Sequence, residues 1–263
     1  MNLTQALILA AASFGAGVMN AMAGGGTILT FPSLLFLGLP SIAANATSTV
    51  GLLPAAMTSL YGYIDEVREQ RRWLKTLFLP SLIGGAIGSV LLLRTPEKTF
   101  AVLAPLLILF ATVLFMVQGL LARSAAKKET GNPSVPENGP SHGRWTLAAV
   151  LQLGVAVYGG YFGAGIGILM LSLLGFLGLS NIHAANGIKN FFVFCINIVA
   201  AGYFMIKGAV VWPEALVIVC GSAFGGYAGA RFAKRIGKEK ARAAVVVIGL
   251  VVTAILFWQQ ATK

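Results

Sequence analysis

Apolar residues fill most of this chain in long runs separated by short polar intervals. The runs cover roughly 3–22, 27–38, 42–63, 74–93, 99–122, 145–163, 166–179, 182–206, 210–230 and 243–260. A helix crosses the hydrocarbon core of a bilayer with about 20 apolar residues at about 1.5 Å each, a length that most of these runs supply. The runs 27–38 and 166–179 are too short and predict half-helices. Each follows a glycine break: Gly24-Gly25-Gly26-Thr27 in the first case, Gly163-Ala164-Gly165-Ile166-Gly167 in the second. Irregular backbone at membrane depth survives only where protein or a watery cavity satisfies its N–H and C=O groups. The breaks therefore predict cavity-lining tips.

Composition supports the same class. Hydrophobic residues make up 57% of the chain and charged residues 10%, against roughly 25% charged in a soluble globular protein. The expected fold is all-α, a polytopic integral membrane protein organised by the bilayer. A net charge of +11 could suggest a polyanion partner, but the basic residues sit in short loops between apolar runs and report orientation instead. No nucleic-acid partner is expected. Cys195 and Cys220 both lie in apolar runs, with no second Cys or His at ligand spacing, and are expected to act as small buried hydrophobes. The first apolar run lacks the Lys or Arg of a secretory n-region and is taken as a retained membrane segment.

The one long polar interval, 123–144, is rich in Pro, Gly, Ser and charge and predicts a flexible linker between a first membrane repeat, 1–122, and a second, 145–263. Three matches support the duplication. Phe36-Leu37-Gly38-Leu39 returns as Phe176-Leu177-Gly178-Leu179, Ala43-Ala44-Asn45 as Ala184-Ala185-Asn186, and Gly84-Gly85-Ala86-Ile87-Gly88 as Gly225-Gly226-Tyr227-Ala228-Gly229, all at an offset of 140 or 141.

Loop charge then relates the halves. In the first, the loop after residue 63 is the basic one (Arg68, Arg71, Arg72, Lys75), and the loop after 93 has Arg94 and Lys98. In the second the bias reverses: Lys207 stands alone, and the next loop holds Arg231, Lys234, Arg235, Lys238, Lys240 and Arg242. If basic loops are cytoplasmic, these two clusters and the linker (Arg123, Lys127, Lys128, Arg144) lie inside. Arg94, Lys98, Lys207 and Lys263 lie outside, and so do both termini. The halves are then inverted, each with a glycine-broken helical hairpin and about three transmembrane helices. Loop charge does not separate a re-entrant hairpin at 3–38 and 145–179 from a pair of crossings with one short partner. Re-entrant hairpins with the breaks at their tips are favoured, because the half-helices then need not span.

Inverted repeats with broken helices are a recurrent transporter plan, with solute near the midplane. A half-helix beginning at Thr27 or Gly167 would aim backbone N–H groups and the positive end of its dipole at the cavity, which suits an anion. The candidate binding residues are Gly24, Gly25, Gly26 and Thr27, Gly163, Gly165 and Gly167, and two polar patches some twenty residues on: Asn45, Thr47 and Ser48 in the first half, Asn186, Lys189 and Asn190 in the second. Close helix packing is the competing reading for the glycines, and inter-helix hydrogen bonding for the asparagines. Lys189 is the sharpest single candidate, because an ammonium inside a membrane segment costs a few kcal/mol and marks a functional site by default. His183 reads as a capping or interfacial residue and Glu214, after Trp212-Pro213, as interfacial. With two His, two separated Cys and no carboxylate in mid-span, no catalytic set, metal site or cofactor site is assembled, and no enzyme is expected.

Gly24-Gly25-Gly26-Thr27-Ile28-Leu29-Thr30-Phe31-Pro32-Ser33-Leu34, then Ala43-Ala44-Asn45-Ala46-Thr47-Ser48-Thr49, and their second-half copies resemble the sulfite exporter TauE/SafE family, formerly DUF81. The resemblance covers nearly the whole chain. It implies a bacterial or archaeal inner-membrane protein that moves sulfur-containing anions, among them sulfite and organosulfonates such as sulfoacetate. It places function on Gly24, Gly25, Gly26, Asn45, Thr47 and Ser48, and on Gly163, Gly165 and Gly167. The second run is looser: Ala164 and Ile166 interrupt it, and no Pro follows where Pro32 stands. The expected activity is secondary transport of such an anion, as an exporter, by alternating access, with a passive anion channel as the alternative. The expected partners are the anion and the lipid bilayer, with homo-oligomerisation open and the coupling ion unassigned.

Overall fold

A computed structural model describes residues 1–22, 24–61, 63–126, 142–179, 181–236 and 238–261. They form twelve helices: α1 (Leu3–Met22), α2 (Thr27–Phe36), α3 (Ser41–Gly51), α4 (Leu53–Tyr61), α5 (Ile64–Glu69), α6 (Arg71–Arg94), α7 (Glu97–Ala126), α8 (His142–Tyr161), α9 (Ile166–Phe176), α10 (Ile182–Ile206), α11 (Trp212–Ile236) and α12 (Lys238–Ala261). No strand occurs among the described residues. Among the described residues, four segments are long and apolar enough to cross a bilayer: Leu3–Asn20, Arg71–Arg94, Glu97–Val117 and His183–Ile206. The middle of the expected linker, 127–141, lies outside the described residues, as do Ala23, Gly62, Ser180, Gly237 and 262–263.

The repeated sequence motifs have physical explanations. Phe36-Leu37-Gly38-Leu39 ends α2: Gly38 takes a φ of +89°, its N–H reaches Leu35 O, and the Leu39 N–H reaches Leu34 O. That is a glycine-terminated Schellman cap. Gly178 ends α9 the same way, with φ +95° and bonds to Gly175 O and Leu174 O. The run expected at 42–63 breaks between α3 and α4 at Leu52, two residues before Pro54, which has no N–H to offer the Val50 carbonyl.

The glycine-rich stretches of α6 and α11 are contact surfaces. A Cβ on Gly88 would strike the Val157 carbonyl of α8, one on Gly160 of α8 the Gly85 carbonyl of α6, and one on Gly225 the Phe14 carbonyl of α1. Backbone approach of this kind replaces hydrophobic driving force as the means of helix association in lipid. The pairs α1–α11 and α6–α8 are the most extensive in the molecule. They are equivalent under the repeat, each half lending its first helix to the other half's glycine-rich helix.

Direction follows from register. On α10, Gly187 lies against Tyr63 and Val67, and the Asn190 side chain against Ser59, so α10 runs antiparallel to α3–α4. Just before α11, Val211 meets Thr47, and on α11 Gly226 lies against Ala55 and Thr58, so α11 runs parallel to α3–α4. The helices that carry the two matched Ala-Ala-Asn motifs, α3–α4 and α10, thus run antiparallel. The ends of α4 and α11 and the starts of α6 and α10 gather at one end of the bundle, which we call the basic end after the loops there.

The structure bears on four single residues singled out by the sequence. Cys195 is buried, but Cys220 is exposed on α11. Glu214, in the first turn of α11, is buried within the protein. The cap of α10 is Asn181, whose Oδ1 accepts the N–H groups of His183 and Ala184, while the His183 side chain lies exposed in the first turn.

Candidate functional site

The two glycine breaks meet. Gly24 and Gly167 approach so closely that a Cβ on Gly24 would lie 3.7 Å from Gly167 Cα. Left-handed glycines shape both tips, with φ +71° at Gly24, +120° at Gly25, +77° at Gly163 and +74° at Gly165, values that L side chains rarely adopt. Each tip has its own pin. Asn20 Oδ1 accepts the N–H groups of Gly25 and Gly26, both at 3.1 Å, and the Tyr158 hydroxyl donates to the Ala164 carbonyl. Helix α7 braces both tips: Phe115 lies against Gly25, and Ala111 and Leu114 lie against Gly165.

A cavity lies at this meeting point. Its lining comes from four places. Gly24, Gly25 and Thr27 come from the first tip, with Asn20 before it. Phe162, Gly163, Ile166 and Gly167 come from the second. Thr49, Leu52, Ala56 and Ser59 line it from α3–α4, and Lys189, Asn190, Val193 and Asn197 from α10. Thr49, Leu52 and Ala56 correspond to Asn190, Val193 and Asn197 at the offset of the repeat, so one face of each helix faces the other across the cavity.

The charge of the lining is one-sided. Lys189, Asn190, Asn197, Asn20 and Thr27 carry N–H or O–H donors, the Thr49 and Ser59 hydroxyls donate to the Asn45 and Ala55 carbonyls, and none of the lining residues is acidic. Lys189 is only 5% exposed. Its Nζ donates to Asn186 Oδ1 at 3.3 Å, and Asn190 Nδ2 donates to the Ser59 carbonyl at 3.1 Å. At the second tip the Ile166 N–H turns onto Gly163 O and the Ile168 N–H onto Gly165 O; among the described residues the intervening Gly167 N–H has no backbone acceptor. Such a set accepts an anion readily and has little to hold a metal.

Seven of the candidate residues therefore line the cavity: Gly24, Gly25, Thr27, Gly163, Gly167, Lys189 and Asn190. The other six lie outside the lining. Gly26 is buried against Ala16 of α1, and Gly165 against α7. Asn186 stands one turn before Lys189. Asn45, Thr47 and Ser48 are engaged between helices: Asn45 Nδ2 donates to the Tyr161 carbonyl at 3.0 Å, Thr47 Oγ1 accepts the Val211 N–H at 3.0 Å, and Ser48 Oγ bonds Thr30 Oγ1 at 2.6 Å. These three bonds tie α3 to α8, α11 and α2 on the side of the tips away from the basic end. The cavity lining runs the other way, along α4 and the first half of α10.

Sequence reasoning missed Asn20, Thr49, Ser59 and Asn197 as lining residues. Asn197 repeats Asn190 after two turns, and Asn20 precedes the first break by four residues. Both spacings carry a signal, but which face each helix turns inward depends on its partners.

Relatives extend across the whole chain. A Haemophilus influenzae protein named "Probable membrane transporter protein" is 26% identical over 96% of this chain and 94% of its own length. A Sinorhizobium protein, "Probable membrane transporter protein ORF9", is 25% identical over 91% of this chain and 87% of its own. The Bacillus subtilis "Probable membrane transporter protein YunE" is 25% identical over 95% of both. No solved structure matches the chain. The family model for sulfite exporter TauE/SafE matches residues 9–256, and with a cavity built from two facing broken helices in an all-helical membrane fold, the chain belongs to that family.

Proposed function

We propose that this membrane transporter carries a small sulfur oxyanion or organosulfonate by alternating access, and that the anion is held where the two glycine tips meet. The observation that carries this reading is the convergence of both tips on one polar cavity whose lining contains Lys189 and no carboxylate. An oxyanion offers acceptors only, so Lys189, Asn190, Asn197 and the Gly167 N–H would complement it, each charge-assisted bond being stronger than its neutral counterpart. Alternating access is supported by the asymmetry of the cavity. It extends along α4 and α10 toward the basic end, while the bonds of Asn45, Thr47 and Ser48 close the opposite side. If basic loops are cytoplasmic, this form faces inward, and the opposite form requires those three bonds to part. The tips lie level with the middles of α3–α4 and α10, which favours re-entrant hairpins, with the termini outside and the 123–144 linker in the cytoplasm.

Purified protein screened by thermal unfolding against sulfite, methanesulfonate, sulfate and acetate should be stabilised by a sulfur anion through mass action. Proteoliposomes should then accumulate that anion against its gradient under an imposed ion gradient. Equilibration without accumulation under every gradient would instead identify the passive channel. Absence of stabilisation by any anion would overturn the site.

A further inference from the structure

We propose that Asn20 is an anion-binding residue of this transporter, with its two functions divided between the two ends of one amide. The inference rests on the anion reading of the cavity. Asn20 Oδ1 accepts the Gly25 and Gly26 N–H groups at 3.1 Å each, and an Asn carbonyl oxygen has two lone pairs to give. Its acceptor end is therefore used up on the tip. Two backbone donors on one atom also settle which end is oxygen, since the amino group could accept neither. The residue nonetheless lines the cavity, and the end left to face a solute is the Nδ2 amino group, a donor that cannot flip into an acceptor without releasing the tip. The first tip spends the Gly25 and Gly26 amides on this pin, and Asn20 returns a side-chain donor in their place. The second tip, held through a carbonyl by Tyr158, needs no such exchange. This accounts for a feature of the sequence that the repeat leaves unexplained: the half with the unbroken Gly24-Gly25-Gly26 run is the half with an asparagine before its break.

Asn20→Asp separates the two functions. The carboxylate keeps an oxygen for both N–H groups, so the tip stays pinned, but it replaces the donor with a negative acceptor facing the anion. Binding of sulfite and of methanesulfonate to wild type and Asn20→Asp is measured by calorimetry in detergent, with the ligand-free thermal midpoint as the fold control. We expect an unchanged midpoint and a loss of affinity of about tenfold or more for both anions, since like charges placed together are costly. Wild-type affinity in a folded Asn20→Asp would show that Asn20 only pins the loop and would overturn the assignment. Failure of the wild type to bind either probe overturns the anion reading itself, which is a different result. Should Asn20→Asp not fold, selective ¹⁵N-asparagine labelling of the wild type decides. The Asn20 side-chain amide signal, identified by its loss in Asn20→Ser, shifts on adding methanesulfonate if it touches the anion and stays in place if it does not.

Discussion

Replacing Lys189 by Gln should separate binding from folding, because its effects on the two have opposite signs. Lys189 is 5% exposed on α10 with its Nζ 3.3 Å from Asn186 Oδ1. Gln keeps a donor that can still reach toward that oxygen, but removes the charge. A hydrogen bond to a charged group contributes about 1.5–3 kcal/mol, and about 1.4 kcal/mol is a factor of ten in affinity. Lys189→Gln should therefore weaken anion binding by about ten- to a hundredfold and abolish transport at low anion concentration. Without ligand, the variant is relieved of a buried charge whose cost on insertion scales is about 2.5–3.5 kcal/mol, so its thermal midpoint should stay level or rise. The assay is anion binding by calorimetry and uptake into proteoliposomes, with ligand-free unfolding in parallel. Undiminished binding and uptake would refute the role of Lys189, and a lower ligand-free midpoint would mark the ammonium as structural.

Further outcomes follow from the packing. Gly88→Ala and Gly225→Ala should each destabilise the detergent-solubilised protein by about 1–3 kcal/mol, because the added methyl meets backbone of α8 and α1 instead of a movable side chain; Gly154→Ala, with nothing within 4 Å, should leave the midpoint level or slightly higher. Glu97→Ala should lower stability by about 0.5–2 kcal/mol, since the Glu97 carboxylate accepts the Ser41 and Ile42 N–H groups at the start of α3; an unchanged unfolding midpoint would show that water replaces it. Single cysteines at residues 2 and 72 should label with a membrane-impermeant thiol reagent from opposite sides of the membrane, residue 2 from outside; a cytoplasmic label at residue 2 would sink the proposed orientation.

The all-helical membrane fold was legible because the bilayer leaves a one-dimensional trace. Run length separates half-helices from spans, glycines mark the breaks, and two of the three matched motifs prove to be a Schellman cap and a close-packing surface. The polar patches divided in a way their composition did not show. Asn186, Lys189 and Asn190 lie at or beside the cavity, whereas Asn45, Thr47 and Ser48, at equivalent places in the repeat, bond across helices. Two stretches with nearly one sequence pattern thus occupy different environments, one beside the cavity and one between packed helices. No local signal carries that difference, because it depends on which helices each patch packs against. Asn20 was illegible for a related reason: its contribution depends on which end of its amide the first tip consumes.

The claim that the anion sits between the tips is tested most directly by locating one. Crystals grown with selenite, whose pyramidal oxyanion copies sulfite, or with 2-bromoethanesulfonate, whichever stabilises the protein, would show the heavy atom by its anomalous scattering. A single peak among Gly24, Gly167, Lys189 and Asn190, with the anion oxygens within hydrogen-bonding distance of Lys189 Nζ, is the predicted result. A peak elsewhere in the bundle, with this cavity holding only water, would contradict it.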